Sequence, residues 1–133
     1  MAQYAATLGR DPEAIYRQID IVGRTGEADP HQLVQLLYEE LGRALRSAAS
    51  AVEHGNARIR SDKVTRAVSI LFALEGGLDH EQAPDLSRTL STLYRGARRT
   101  VIDASLGTDP KPFRDVAANL EQIADAWRSI RGH

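Results

Sequence analysis

The sequence contains no cysteine, so disulfides, thiolate zinc sites and cysteine nucleophiles are excluded together. Aromatic residues are scarce, at 5%, with a single tryptophan. No charge of one sign prevails: 17 basic and 18 acidic residues leave a net charge of -1. That gives no strong field for nucleic acid or an anionic bilayer. No apolar run approaches the ~20 residues of a membrane span. The opening Met-Ala-Gln-Tyr-Ala-Ala-Thr-Leu has neither the positive nor the apolar region of a secretory signal. The expectation is a cytosolic protein with no nucleic-acid partner and no membrane insertion.

Chemistry-bearing motifs are missing as well. There is no phosphate-binding loop, dinucleotide glycine fingerprint or nucleophile elbow. A di-iron bundle needs Glu-x-x-His on its helices, and none of His31, His54, His80 and His133 has a glutamate three residues before it. His54 falls at a helix end, where an imidazole beside the negative terminus is ordinary. None of the four sits mid-helix, as a phosphotransfer histidine would. Glu39 and Glu40, being adjacent, point to different helix faces and form no acid/base pair. No catalytic residue, metal or cofactor is expected.

What the chain does have is one domain's worth of core-forming sequence, with 133 residues, 42% hydrophobic and 26% charged. Its five prolines, Pro12, Pro30, Pro84, Pro110 and Pro112, each precede a stretch with helical apolar spacing. A missing N–H costs nothing in a first helical turn, where the fixed φ also suits proline. Asp11, Asp29 and Asp109 stand directly before three of them as N-caps, and Gln32 completes a capping box with Asp29. The pattern predicts a short helix over Pro12–Val22 and longer ones over Pro30–His54, Ala57–Leu78, Pro84–Leu106 and Pro110–Ile130. Gly55 and Gly107 stand where left-handed residues would end two of these, and Gly76-Gly77 ends or loosens a third. Loops of a few residues make consecutive helices antiparallel neighbours.

The expected fold is therefore all-α, an antiparallel four-helix bundle with a short N-terminal fifth helix. It forms one domain over residues 1–133: a flexible tail over 1–11, a capping helix over 12–22 and the bundle over 30–130. The expected seams are Leu33, Leu37, Leu41, Ala44, Ala48, Val52; then Val64, Ala67, Leu71, Leu74, Leu78; then Leu86, Leu90, Leu93, Ala97, Val101; and last Phe113, Val116, Leu120, Ile123, Trp127, Ile130. The opposite face of the last helix, including Arg114, Asn119 and Gln122, is polar.

Eight apolar residues are left over from these seams: Leu36, Tyr38, Leu45, Val68, Ile70, Phe72, Tyr94 and Ile102. Each could widen a core face. Together they suggest a second apolar surface of the kind that marks an interaction site, and an amphipathic helix is the natural ligand for a groove between helices. Ile15, Tyr16, Ile19 and Val22 line one side of a helix too short to persist undocked, and Gly23 and Gly26 tether it. That segment is expected to cover part of the groove and yield it to a partner; an ordinary fixed N-terminal helix is the alternative. Arg95, Arg98 and Arg99 form one basic cluster and Arg58, Arg60, Lys63 and Arg66 another. Asp62, Glu75 and Asp103 lie nearby, so both read as solvated faces rather than a nucleic-acid stripe.

The order of residues resembles the FliS family of flagellin-specific secretion chaperones. The resemblance begins at Tyr16-Arg17-Gln18-Ile19 and continues through Ala28-Asp29-Pro30-His31-Gln32-Leu33-Val34-Gln35-Leu36-Leu37-Tyr38-Glu39. It runs on through Lys63-Val64-Thr65-Arg66-Ala67, Leu78-Asp79, Leu90-Ser91-Thr92-Leu93-Tyr94, Arg99 and Ala104 to the stretch from Leu120 to Trp127. It implies a cytosolic helical bundle that binds the disordered C-terminal segment of flagellin, prevents premature polymerisation and delivers the client to the flagellar type III export gate. The family's N-terminal tyrosine segment joins the client-binding region, and Tyr16 is the matching position. Gly96 stands where the family often has a second aromatic, which implies a shallower groove there. Asp29 replaces a more usual small polar residue, a change the N-cap role tolerates.

From leftover hydrophobicity and family position together, the expected partner-binding residues are Tyr16, Ile19, Val22, Leu33, Leu36, Tyr38, Ile70, Phe72, Leu74 and Tyr94. A homodimer is left open. Two other readings are a generic adaptor for another amphipathic helix and a small all-α enzyme binding an anionic substrate through Arg43, Arg66 or Arg99. The enzyme requires charged residues converging in a buried pocket, whereas the chaperone requires an open apolar groove.

Overall fold

The computed structural model describes residues 30–131. Four helices follow in chain order: α1 (Pro30–Glu53), α2 (Ala57–Gly76), α3 (Pro84–Ala104) and α4 (Lys111–Arg131), with no strand among the described residues. The expected helix at 12–22 lies outside the described residues, as do the tail before it and the N-cap Asp29. Local chemistry sets the helix ends. Gly55 carries φ +68, the left-handed conformation that stops α1. Asn56 then starts α2 by accepting a hydrogen bond from the Ile59 N–H at 3.1 Å. Gly76 is the last residue of α2 and Gly77 its cap. Asp109 accepts from the Lys111 N–H at 2.9 Å, the expected capping role. Gly107 does not behave as expected: α3 ends at Ala104, Ser105 caps it in the right-handed region, and among the described glycines only Gly55 has positive φ.

Each helix packs on two others, α1 on α2 and α4, α3 on α2 and α4, which closes a four-helix bundle. The α1–α2 seam is the most extensive and the α3–α4 seam the slightest. Ala44, Ala48, Ala51, Ala67 and Ala73 are buried, and such short side chains let neighbouring backbones approach closely. Leu41, Leu45, Ile70, Leu71, Val101 and Phe113 are the largest fully enclosed side chains. Enclosing one side chain of this size stabilises the fold by about 1.5–3 kcal/mol.

Diagonal α1 and α3 share no backbone packing, yet the Tyr38 and Tyr94 hydroxyls hydrogen-bond to each other within the core. Burial pushes both phenols above their ordinary value of 10.0. Ion pairs tie the rim. Glu40 on α1 accepts from Arg43 at 2.9 Å and from Arg66 of α2 at 2.8 Å. Arg114 of α4 pairs with Glu53 of α1, and Arg60 reaches the Gly107 carbonyl at 3.2 Å.

Candidate functional site

The expected seams of α1, α2 and α4 turn inward, with Val52, Leu78 and Ile123 half-buried and the side chains of Trp127 and Ile130 outside those described. Leu33, Leu37, Leu41, Ala44 and Ala48 are buried on α1, and Val64, Ala67, Leu71 and Leu74 on α2. Phe113, Val116 and Leu120 are buried on α4, whose Arg114, Asn119 and Gln122 face water. The α3 seam is different, and this is a correction to the sequence reading. Its buried residues are Ser87, Ser91, Tyr94, Val101 and Ala104, so of the expected set only Val101 is enclosed. Leu86 is 57% exposed, and Leu90, Leu93 and Ala97 are only half-buried against the core.

Polar bonds explain this rotation of α3. The Ser87 hydroxyl donates to the Asp79 carbonyl at 2.9 Å, and Tyr94 meets Tyr38. Glu75 of α2 collects three donors from α3: the Ser91 hydroxyl at 2.9 Å, Arg95 Nε at 2.7 Å and Arg98 Nη1. Residues 87, 91, 94 and 98 share one helical stripe, and satisfying them turns that stripe inward. The leucine stripe is left roughly a quarter turn round the helix. By helical spacing it falls on the side of the inward stripe opposite Arg95, which bonds Glu75 of α2, and so on the flank away from α2.

On the other flank of α3, against α2, a cleft of about 460 Å³ is lined by Phe72, Glu75, Gly76, Leu78, His80, Ser91, Arg95 and Arg98. Phe72 and Leu78 supply its apolar surface, and the Arg98 guanidinium stacks over the Phe72 ring at 4.2 Å. Burial alone would raise the Glu75 carboxyl. The hydrogen bonds from Arg98, Arg95 and Ser91, with the Arg98 charge, outweigh it and hold the group below its ordinary value of 4.5. Glu40 behaves alike: burial raises it, and Arg66 and Arg43 together bring it lower. A smaller cleft of about 170 Å³ lies between α1 and α4, bordered by Tyr38, Arg46 and Leu120. Gly42 makes room there, because a Cβ would sit 3.1 Å from Arg46 Nη1.

The expected binding residues divide accordingly. Leu33, Tyr38, Ile70, Leu74 and Tyr94 are core residues, each less than a tenth exposed, and Leu45 of the leftover set joins them. Leu36, Val68 and Phe72 are half-buried, and Ile102 is 47% exposed. Tyr16, Ile19 and Val22 lie outside the described residues. The surface apolar groups that sequence reasoning assigned to the core are Leu86, Leu90 and Leu93. The signal that could have found them is the competing 87-91-94-98 spacing with Glu75 available opposite. Arg43 and Arg66 meet on Glu40, and Arg99 stands exposed on α3, so these three arginines do not converge. Among the described residues no group of His, Asp and Glu could hold a metal ion, and no helix is long and apolar enough to cross a membrane.

Comparison with known proteins gives one consistent result. The sequence pattern of the family described as flagellar protein FliS matches residues 12–133. The chain is 30% identical over 116 residues to the flagellar secretion chaperone FliS of Salmonella typhimurium, covering 86% of each protein. It is 25% identical over 115 residues to the protein of that name in Vibrio cholerae, covering 86% of this chain and 85% of that one. The flagellar secretion chaperone FliSB of Pseudomonas aeruginosa is 27% identical over 115 residues, covering 86% of this chain and 91% of its own.

Proposed function

The chain belongs to the flagellar protein FliS family, whose members are flagellar secretion chaperones, and on that premise we propose that its client is the C-terminal segment of flagellin. The protein binds that segment in the cytoplasm, prevents its premature polymerisation and carries it to the flagellar type III export gate. The observation that supports this reading most is the α3 leucine stripe, with Leu86 more than half exposed and Leu90 and Leu93 half-buried. A disordered segment must offset its ordering entropy with a large apolar contact. The stripe on one flank of α3 and the Phe72–Leu78 cleft on the other offer such a surface, which a chain wrapping round α3 would cover. Covering the client's own assembly helix is enough to block polymerisation, and no bond need be broken.

Residues Tyr16, Ile19 and Val22 then belong to a segment that competes with the client for this surface and lowers its apparent affinity by the fraction of time it occupies it. The core residues Leu33, Tyr38, Ile70, Leu74 and Tyr94 hold the helices that carry the surface, with Phe72 at its accessible margin and Leu36 half-buried on α1. Substitution of Leu90→Asp tests the assignment. It should abolish complex formation with the flagellin C-terminal segment in size-exclusion chromatography, while Asn119→Asp on the polar face of α4 should leave it intact. Equal binding by both variants would rule out the α3 surface.

A further inference from the structure

The cleft between α2 and α3 carries more positive than negative charge over an apolar bed, and the client-binding reading gives no role to that excess. One carboxylate, Glu75, serves two guanidiniums. Its Oε2 accepts from Arg95 Nε and the Ser91 hydroxyl, and its Oε1 from Arg98 Nη1. The two arginines differ in setting. Arg98 is 17% exposed and held over the Phe72 ring, whereas Arg95 is 65% exposed. Among the described residues Arg95 bonds only through Nε, so both of its terminal nitrogens are free at the mouth of the cleft.

We propose that this cleft is a specificity subsite for an acidic side chain of the bound client segment. A client Asp or Glu would sit on the terminal nitrogens of Arg95, with a neighbouring apolar side chain on Phe72 and Leu78. A guanidinium already fixed at Nε offers its remaining donors at little further entropic cost, and its planar fork suits a carboxylate. The single formal charge left over after Glu75 is satisfied is matched by one carboxylate, and the apolar bed selects a peptide over a small free anion. The inference rests on the client-binding reading and adds what the client must present: one carboxylate beside an apolar anchor.

The test is calorimetric titration of the full chain with the synthetic C-terminal flagellin peptide at low salt. Arg95→Gln should raise Kd about five- to tenfold, a loss that shrinks as salt is added, while Arg95→Lys keeps part of the affinity. Neutralising each acidic residue of the peptide in turn should reveal one whose change produces the same loss, with no further loss when combined with Arg95→Gln. Lys111→Gln, remote on α4, serves as the control and should bind as the unaltered chain does. Glu75 keeps Ser91 and Arg98 in the Arg95 variants, and unchanged thermal unfolding verifies that the fold is kept. Losses under twofold, or losses that multiply for every peptide carboxylate, would overturn the subsite while leaving the client reading intact. Failure of the unaltered chain to bind the peptide at all would overturn both.

Discussion

The Tyr38–Tyr94 hydroxyl pair joins two helices whose backbones do not pack together, and its contribution can be measured by a double-mutant cycle. Tyr38 is 7% and Tyr94 3% exposed, so water cannot replace either partner. Removing one hydroxyl, in Tyr38→Phe or Tyr94→Phe, leaves the other buried without a bond, at a cost of about 1–3 kcal/mol. Removing both leaves two phenyl rings of nearly the same shape and no stranded polar atom, which should cost under ~1 kcal/mol. The cycle therefore predicts a coupling of at least about 1 kcal/mol. Urea unfolding by circular dichroism reads it directly, and melting temperature should fall by roughly 4 °C per kcal/mol in a domain of this size. Because burial raises both phenols above 10.0, their contribution is complete below that pH and is lost as pH climbs past it. The doubly substituted protein should accordingly resist alkaline unfolding better than the unaltered one. Losses that simply add in the double variant would refute the idea that these hydroxyls work as a pair.

Three further outcomes are expected. Glu40 and Glu75 are held below the ordinary value of 4.5, so their stabilisation is present above that pH and lost as pH falls through the lowered value. Glu75→Gln should cost about 1 kcal/mol at pH 7, a cost that shrinks as the solution is acidified, read from urea midpoints across a pH series. Gly55→Ala, at φ +68, should destabilise by about 1 kcal/mol, whereas Gly96→Ala, with nothing within 4 Å of the added methyl, should stabilise by roughly the same amount. Deleting residues 1–24 should tighten peptide binding in titration calorimetry, and unchanged or weaker binding would count against a competing N-terminal segment.

The helix boundaries were legible because their determinants are local. Proline in a first turn, Asp109 as a cap and Gly55 in the left-handed region act within a few residues. The seams of α1, α2 and α4 were legible where the apolar spacing admits one solution. On α3 it admits two, 86-90-93-97 and 87-91-94-98, and periodicity favours the more hydrophobic. The choice is made by Glu75, Asp79 and Tyr38, partners on other helices and loops that no local window contains. The same blindness made Tyr38 and Tyr94 look surplus, when each is the other's hydrogen-bond partner across the core. In the sequence Glu75 counts only as nearby charge balance for a solvated arginine face, whereas Arg98 is 17% exposed and lies over Phe72. The resulting apolar cleft, with one guanidinium half free, needed the geometry of α2 against α3.

The proposed function requires that this bundle leave apolar surface uncovered for a client that arrives unfolded. Its most direct measurement is the heat capacity of binding, from calorimetric titration of the full chain with the C-terminal flagellin segment at several temperatures. Burial of a large apolar surface requires a clearly negative heat-capacity change, with Kd below about 10 μM. A heat-capacity change near zero, or no binding at tens of micromolar, would contradict the account.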